Sequence, residues 1–370
     1  MLLRVLIVDD SILFRRAVSD ALSGIPDIEI VGTAANGRIA LSRIKSLRPD
    51  IMTLDLEMPE MNGLEVLSAI KTEGLDVGAI LLSCLTVRGG DLTIKGLELG
   101  AFDYVPKPDG GSAEENTLYL RRALEPLLKA FSRQREIRKI LRGGRPLSAP
   151  PAAPKLVTLP TPSAHLPQSH LTAIPGRRSE ALAIGISTGG PKALIEVMTA
   201  LPAKLNVPVF IVQHMPAYFT TSLAANLNGR CSFRVKEAEN GELVTPDTAY
   251  IAPGGKQMKV ALAADGISKI VRVTDDPAEN NCRPSVDYLF RSIAHHYLGR
   301  ATGVIMTGMG SDGAVGLKLM KRNGAVTIAQ NETTCVVYGM PKAAVDIGAV
   351  DAVVPLDMIA AEIMKTLGRA

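Results

Sequence analysis

The chain has no tryptophan, and aromatic residues make up 4% of its 370 positions. Base stacking needs aromatic platforms, so their scarcity argues against a nucleic-acid binder. Charge of one sign is also short: the net +4 is too small to draw a polyanion. Only four cysteines occur, Cys84, Cys231, Cys282 and Cys335, far apart and without a CxxC pair. This excludes a disulfide or structural-zinc framework and fits a reducing cytosol. No apolar run approaches the roughly 18 residues of a membrane helix. The apolar start, 1–8, meets Asp9-Asp10 at once and is too short for a signal-peptide core. The expectation is a soluble, cytoplasmic protein with no membrane insertion and no nucleic-acid partner.

What is present is apolar sequence, 46% of the chain, enough for two cores at this length. Strand-like runs at 5–8, 28–33, 51–54, 79–82 and 103–106 alternate with helical spacing at 12–22, 37–47, 63–71, 90–99 and 118–130. Such alternation predicts a parallel sheet covered on both faces. From Lys129 to Glu180 there are ten Lys/Arg against two Asp/Glu, and 146–175 holds eight prolines. That composition cannot build a core and reads as an extended tether, with 131–141 continuing the preceding helix. Alternation resumes at 181. Strands are expected at 181–186, 207–212, 301–306 and 326–329, and helices at 191–201, 286–297, 314–322 and 341–347. Shorter strands at 249–252, 260–262 and 267–273 suggest a β-hairpin insertion. The fold class is therefore α/β, with two doubly wound domains: 1–125, a linker over 126–180, and 181–370.

Two sets of chemical groups sit on the expected strand ends, where open parallel sheets place their ligands. In the first half these are Asp9 and Asp10, then Asp55, then Ser83, then Lys107. Three converging carboxylates repel one another unless a cation joins them, and oxygen ligands favour Mg²⁺. A carboxylate can accept a phosphoryl group, and Lys107 supplies a point charge for it. In the second half Gly185-Ile186-Ser187-Thr188-Gly189-Gly190 precedes a helix, His214 follows a second strand and Asp312 a third. A serine, a base and an orienting acid on one rim suit acyl transfer. The Gly-x-Ser-x-Gly pattern taken alone would instead suggest a Ser, Asp, His order, with Asp287 and His295 or His296. A helix-N-terminal phosphate cradle is the other reading of Ser187, though it lacks the P-loop lysine.

The first set, over residues 1–125, resembles the receiver domain of bacterial two-component response regulators. That resemblance implies a flavodoxin-like fold with Asp55 as phosphoacceptor. It also implies Mg²⁺ held by Asp10, Asp55 and the Glu57 backbone carbonyl, with Asp9 acting through water. Ser83, Lys107 and Tyr104 (rather than Phe102) would form the switch, and the Lys107–Pro108 bond would be cis.

Residues 181–368 resemble the catalytic domain of the chemotaxis protein-glutamate methylesterases. The resemblance is carried by 185–191, 213–216, 251–254, 283–287 and 307–314. It implies hydrolysis of glutamyl methyl esters on chemoreceptors, releasing methanol, without a cofactor; some members also deamidate glutamines. Ser187 would be nucleophile, His214 base and Asp312 orienting acid, with Thr188 and Met309 at the oxyanion hole. The partners implied are methylated chemoreceptors and a chemotaxis-type sensor histidine kinase as phosphodonor. Phosphoryl-Asp55 would relieve occlusion of the catalytic rim. Cys282 departs from the family, which often has histidine there. A phosphorylation-controlled binding module is the alternative.

Overall fold

In a computed structural model the described residues are 2–142 and 178–368, with side chains described outside 137–142. The proline-rich part of the expected tether lies outside them. The N-terminal half runs β1 (Leu3–Val8), α1 (Ile12–Ser23), β2 (Ile28–Ala34), α2 (Gly37–Leu47), β3 (Ile51–Asp55) and α3 (Gly63–Glu73). It continues with β4 (Gly78–Ser83), α4 (Val87–Glu98), β5 (Asp103–Pro106) and α5 (Ala113–Arg142). The five strands pair in parallel in the order β2-β1-β3-β4-β5, the flavodoxin-like arrangement. All five residues of β3 are buried, as expected for a central strand covered on both faces. Helix α3 starts on a capping box between Asn62 and Glu65, so its N-terminus is fixed just after the Asp55 loop. Helix α5 extends to Arg142, as 131–141 led us to expect.

The C-terminal half holds β6 (Leu182–Ile186), α6 (Gly190–Thr199), β7 (Val209–Gln213), α7 (Phe219–Asn228), β8 (Arg234–Glu237) and β9 (Thr248–Ile251). After these come β10 (Gln257–Leu262), β11 (Lys269–Thr274), α8 (Val286–Tyr297), β12 (Thr302–Ile305), α9 (Ala314–Arg322) and β13 (Val326–Gln330). The chain ends in α10 (Met340–Asp346), β14 (Ala352–Val354) and α11 (Leu356–Thr366). Seven strands pair in parallel in the order β14-β13-β12-β6-β7-β9-β8. The expected hairpin insertion is narrower than its sequence reading. Only β10 and β11 form it, while β9 joins the main sheet beside β7. Strand β9 is buried along its whole length, which is what selects the sheet over the exposed ribbon.

The chain leaves β6 toward β7 on one side and later returns to β12 on the other. The crevice over β12, β6 and β7 is therefore the topological switch point, where an open α/β sheet collects ligands. The two halves touch directly. Helix α4 packs on α7, and Ile94 of α4, 2% exposed, is buried in the core of the second half with Tyr104 packed beside it. A side chain on Gly90 would stand 2.7 Å from Ser222 Oγ, so the absent Cβ permits this approach.

The cis expectation fails. Among the described residues the cis peptide bond is Arg283–Pro284, and Lys107–Pro108 is not cis. The Lys107 amide instead donates to the Ser83 carbonyl at 2.7 Å, continuing the β4–β5 pairing past Pro106.

Candidate active site

Ser187 follows β6 in the middle of the switch point. Its amide donates to the Thr307 carbonyl at 3.0 Å, and its carbonyl accepts from the Gly190 amide at 2.8 Å. That tight turn needs Gly189 in the left-handed region, φ 74°, and leads straight into α6 with Pro191 in its first turn. His214 follows β7, and its amide bonds the Ile186 carbonyl at 3.1 Å, which ties it to the strand carrying Ser187. Asp312 precedes α9. Its Oδ2 lies 2.8 Å from His214 Nε2. His214 and Asp312 are thus paired, and Ser187 follows β6, the strand between β12 and β7.

Asp312, 3% exposed, sits at the N-terminus of α8. Its carboxylate accepts from Val286 N (2.7 Å), Ser285 Oγ (2.8 Å), Asn280 Nδ2 (3.0 Å) and Asp287 N (3.1 Å). Burial alone would raise its pKa, but the His214 bond and charge, with Asn280 and the Val286 amide, pull it down to about 2. Burial likewise disfavours charge on His214, yet Asp312 and then Cys282 outweigh it and raise the imidazole to about 9. Cys282 Sγ is 3.8 Å from His214 Nδ1. With Nε2 turned to Asp312, Nδ1 is the nitrogen left to accept a proton. Among the described residues no hydrogen bond joins Ser187 Oγ to His214 in this resting arrangement, and such bonds are often long without substrate.

The proposed oxyanion residues lie on the loops that flank Ser187. The Thr188 carbonyl accepts from Thr307 Oγ1 at 3.0 Å. Met309 has an exposed side chain and follows Gly308, where an added Cβ would come within 2.8 Å of Ser187 Cβ. The Ser, Asp, His alternative is not assembled. Asp287 is buried, bonded to Gly316 N and Asn280, whereas His295 and His296 pack edge to face along α8.

In the first half Asp9, Asp10 and Asp55 bring one carboxylate oxygen each within 4.8 Å of the others. Asp9 and Asp55 are buried, Asp10 exposed. Lys107 Nζ bridges Asp9 Oδ2 and Asp55 Oδ2, each at 2.8 Å. Burial pushes the Asp55 carboxyl up to about 6. Lys107 opposes this, and Asp9 adds to it. The Glu57 amide bonds Asp55 Oδ1 at 3.3 Å. Crowded buried carboxylates with one exposed member fit a hard divalent cation. Ser83, 2% exposed, donates to the Gly89 carbonyl at the start of α4, at 3.1 Å.

Comparison with known proteins decides the family. The CheB methylesterase family matches residues 182–363, and the response regulator receiver domain matches 5–114. The protein-glutamate methylesterase/protein-glutamine glutaminase of Desulfotalea psychrophila is 48% identical over 365 residues, covering 99% of this chain and 98% of that one. Its counterpart in Clostridium acetobutylicum is 41% identical over 98% of this chain and 97% of that one. The chain belongs to the receiver-linked CheB methylesterase family. A crystal structure of the Thermotoga maritima CheB methylesterase catalytic domain superposes with a TM-score of 0.49 and 38% identity, covering 50% of this chain and 98% of that one.

In this CheB-family chain the receiver abuts the Ser187–Gly190 turn. The buried Asp103 carboxylate, at the start of β5, faces the Gly189 amide, which opposes the rise of its pKa, and accepts from its neighbour Tyr104 N at 2.9 Å. Burial raises Asp103 to about 7 against those two amides. Tyr104 stacks on Phe219 of the methylesterase half, ring centroids 5.0 Å apart. Phe102 turns the other way, edge-on to Phe131 of α5 at 5.3 Å. Glu98 binds Asn226 and Arg230, both at 2.8 Å, and Arg133 binds Glu332 at 2.8 Å.

Sequence reasoning missed several supporting residues. Gln213 Nε2 donates to the Ser187 carbonyl at 2.9 Å, and its Oε1 would be 1.9 Å from a Cβ at position 190. Asn280 and Ser285 hold Asp312, and Gln257 Oε1 accepts from Ser285 N at 2.8 Å. Asp103 lies in a run that the sequence marks only as a strand. Gln213 and Ser285 lie in motifs that carried the resemblance, so their position was a signal; Asn280, Gln257 and Asp103 had none.

Proposed function

We propose that this protein hydrolyses glutamyl methyl esters on the cytoplasmic helices of chemoreceptors, releasing methanol, under control of Asp55 phosphorylation. Deamidation of receptor glutamines would use the same groups. The observation that carries the reading is the His214–Asp312 pair at 2.8 Å, set over the strand that presents Ser187. In the proposed sequence His214 Nδ1 takes the Ser187 proton as Oγ attacks the ester carbonyl. Asp312, held ionised by α8, stabilises the imidazolium through Nε2. His214 then protonates the departing methoxide, and water, deprotonated by the same nitrogen, cleaves the acyl-serine. Backbone N–H groups around Thr188 and Met309 would receive the developing oxyanion.

Control is proposed to act by access. The receiver's Asp103 and Tyr104 lie against the Ser187–Gly190 turn and α7, which supports a resting state with the rim covered. Asp10, Asp55 and the Glu57 carbonyl would hold Mg²⁺, with Asp9 one water away. When bound, the cation neutralises charge on the incoming phosphoryl group. Lys107 would ion-pair with phosphoryl-Asp55, and Ser83 would turn from the Gly89 carbonyl toward it. That change at the head of α4 and at Tyr104 would weaken the docked form. The phosphodonor would be a chemotaxis-type sensor histidine kinase.

The test is methanol release from a methylated receptor fragment, with and without a small phosphodonor. The reading requires stimulation by phosphodonor in the wild type. Labelling of Ser187 by a serine-reactive phosphonate separates an esterase from a binding module, which would stay unlabelled.

A further inference from the structure

His214 and Cys282 make a pair that the esterase reaction does not require. Asp312 occupies Nε2, so the imidazole presents its other nitrogen, Nδ1, to Cys282 Sγ at 3.8 Å. A tetrahedral Zn²⁺ bound by one imidazole nitrogen and one thiolate holds them about 3.5 Å apart, given Zn–N near ~2.05 Å and Zn–S near ~2.3 Å. The observed separation needs only a few tenths of an ångström of adjustment. A carboxylate behind the histidine is also the arrangement that orients a metal-binding imidazole and makes it more basic. Here that carboxylate is held by four further donors, so the ring cannot turn away freely. The thiol is only partly buried, and its sulfur is fixed toward the ring by a bond to the Asn280 carbonyl at 3.4 Å. Asn280 in turn grips Asp312, so one short loop aligns both ligands.

We propose that His214 Nδ1 and Cys282 Sγ form an inhibitory site for a soft divalent cation, Zn²⁺ foremost, with solvent completing the coordination. Binding releases the thiol proton, and the Nδ1 proton wherever the imidazole is charged, to solvent and places the metal on the lone pair that would otherwise take the Ser187 proton. Mg²⁺ does not compete there, because a thiolate and an imidazole suit softer ions. The receiver's carboxylate cluster has the opposite preference, so the two metals sort between the two halves by ligand softness.

The test uses the full chain with excess Mg²⁺ to fill the carboxylate cluster. Co²⁺ serves as a spectroscopic probe and Zn²⁺ as competitor and inhibitor. The wild type should develop thiolate-to-cobalt charge-transfer absorption that Zn²⁺ abolishes, and C282S should not. In the ester assay the half-inhibitory Zn²⁺ concentration should rise at least about tenfold in C282S, and EDTA should restore the wild type. Absorption that survives in C282S but vanishes in C84S would assign the metal to the receiver and overturn the proposal. Equal Zn²⁺ inhibition of wild type and C282S would overturn it too. The absorption readout does not depend on the esterase reading, so the two can fail separately.

Discussion

Asp55 ends β3 and Asp312 lies in the loop between β12 and α9, each beside the switch point of its own parallel sheet, and each is almost fully buried, 4% and 3% exposed. Yet one carboxyl is pushed up to about 6 and the other drawn down to about 2. Burial acts in the same direction on both, so the neighbours decide. Asp312 receives backbone amides at the head of α8, two side-chain donors and His214. Asp55 receives Lys107 and one long amide bond, and shares its cation with a second acid, Asp9. The same residue type is thereby kept as a permanent anion in one half and as an acid awaiting a cation in the other.

The comparison can be broken most sharply at the acids themselves. Asp312→Asn should lower the rate of methanol release by about 10³-fold or more, and Ser187→Ala at least as much. Asp55→Asn should keep basal turnover and lose all stimulation by phosphodonor in the same assay. Next in size is Lys107→Ala. Removing the one cation should drive the Asp55 carboxyl above about 6 and impair phosphorylation, read by carboxyl-carbon NMR titration and by phosphoryl incorporation.

A third acid, Asp103, links the halves. Asp103→Asn keeps its shape but removes the ionisable carboxyl that faces the Gly189 amide. Exchanging a charged acceptor for a neutral one costs roughly 1–1.5 kcal/mol, so basal, unphosphorylated turnover should rise about five- to tenfold while the phosphorylated rate stays level. The smallest effect is in the pH profile. His214 must be neutral to act as base, and its raised pKa means that kcat/KM should climb as pH rises through about 9. Cys282→Ala removes one of the groups raising that value and should move the limb to lower pH.

Most of this arrangement was legible in the sequence because strand-end residues announce themselves after buried apolar runs. Ser187, His214 and Asp312 each follow or closely trail such a run, and the structure brings them onto adjacent strands. What escaped has physical reasons. Strand β8 is a four-residue edge with charged alternation, and β14 has three residues, too few for a pattern. Helix α7 is preceded by Tyr218 at its N-cap, at φ 68° with no side-chain cap, so nothing in the sequence marks its start. Helix α11 carries its signal in the helical spacing of the buried Ile359, Ile363 and Leu367. The contact of Asp103 with Gly189 depends on how two domains meet, and no local pattern encodes that. Asn280 serves Asp312 from a residue at positive φ, a conformation that sequence suggests only weakly.

The stacking of Tyr104 on Phe219 has a consequence for the kinase's side of the exchange. If undocking and phosphorylation favour one another, the influence runs both ways with equal free energy. Whatever factor phosphoryl-Asp55 contributes to freeing the rim, the docked methylesterase half must subtract from the receiver's equilibrium for holding its phosphoryl group. A receptor that occupied the open rim would then act as a positive effector of the distant aspartate, making substrate itself a partner in setting how long the signal lasts.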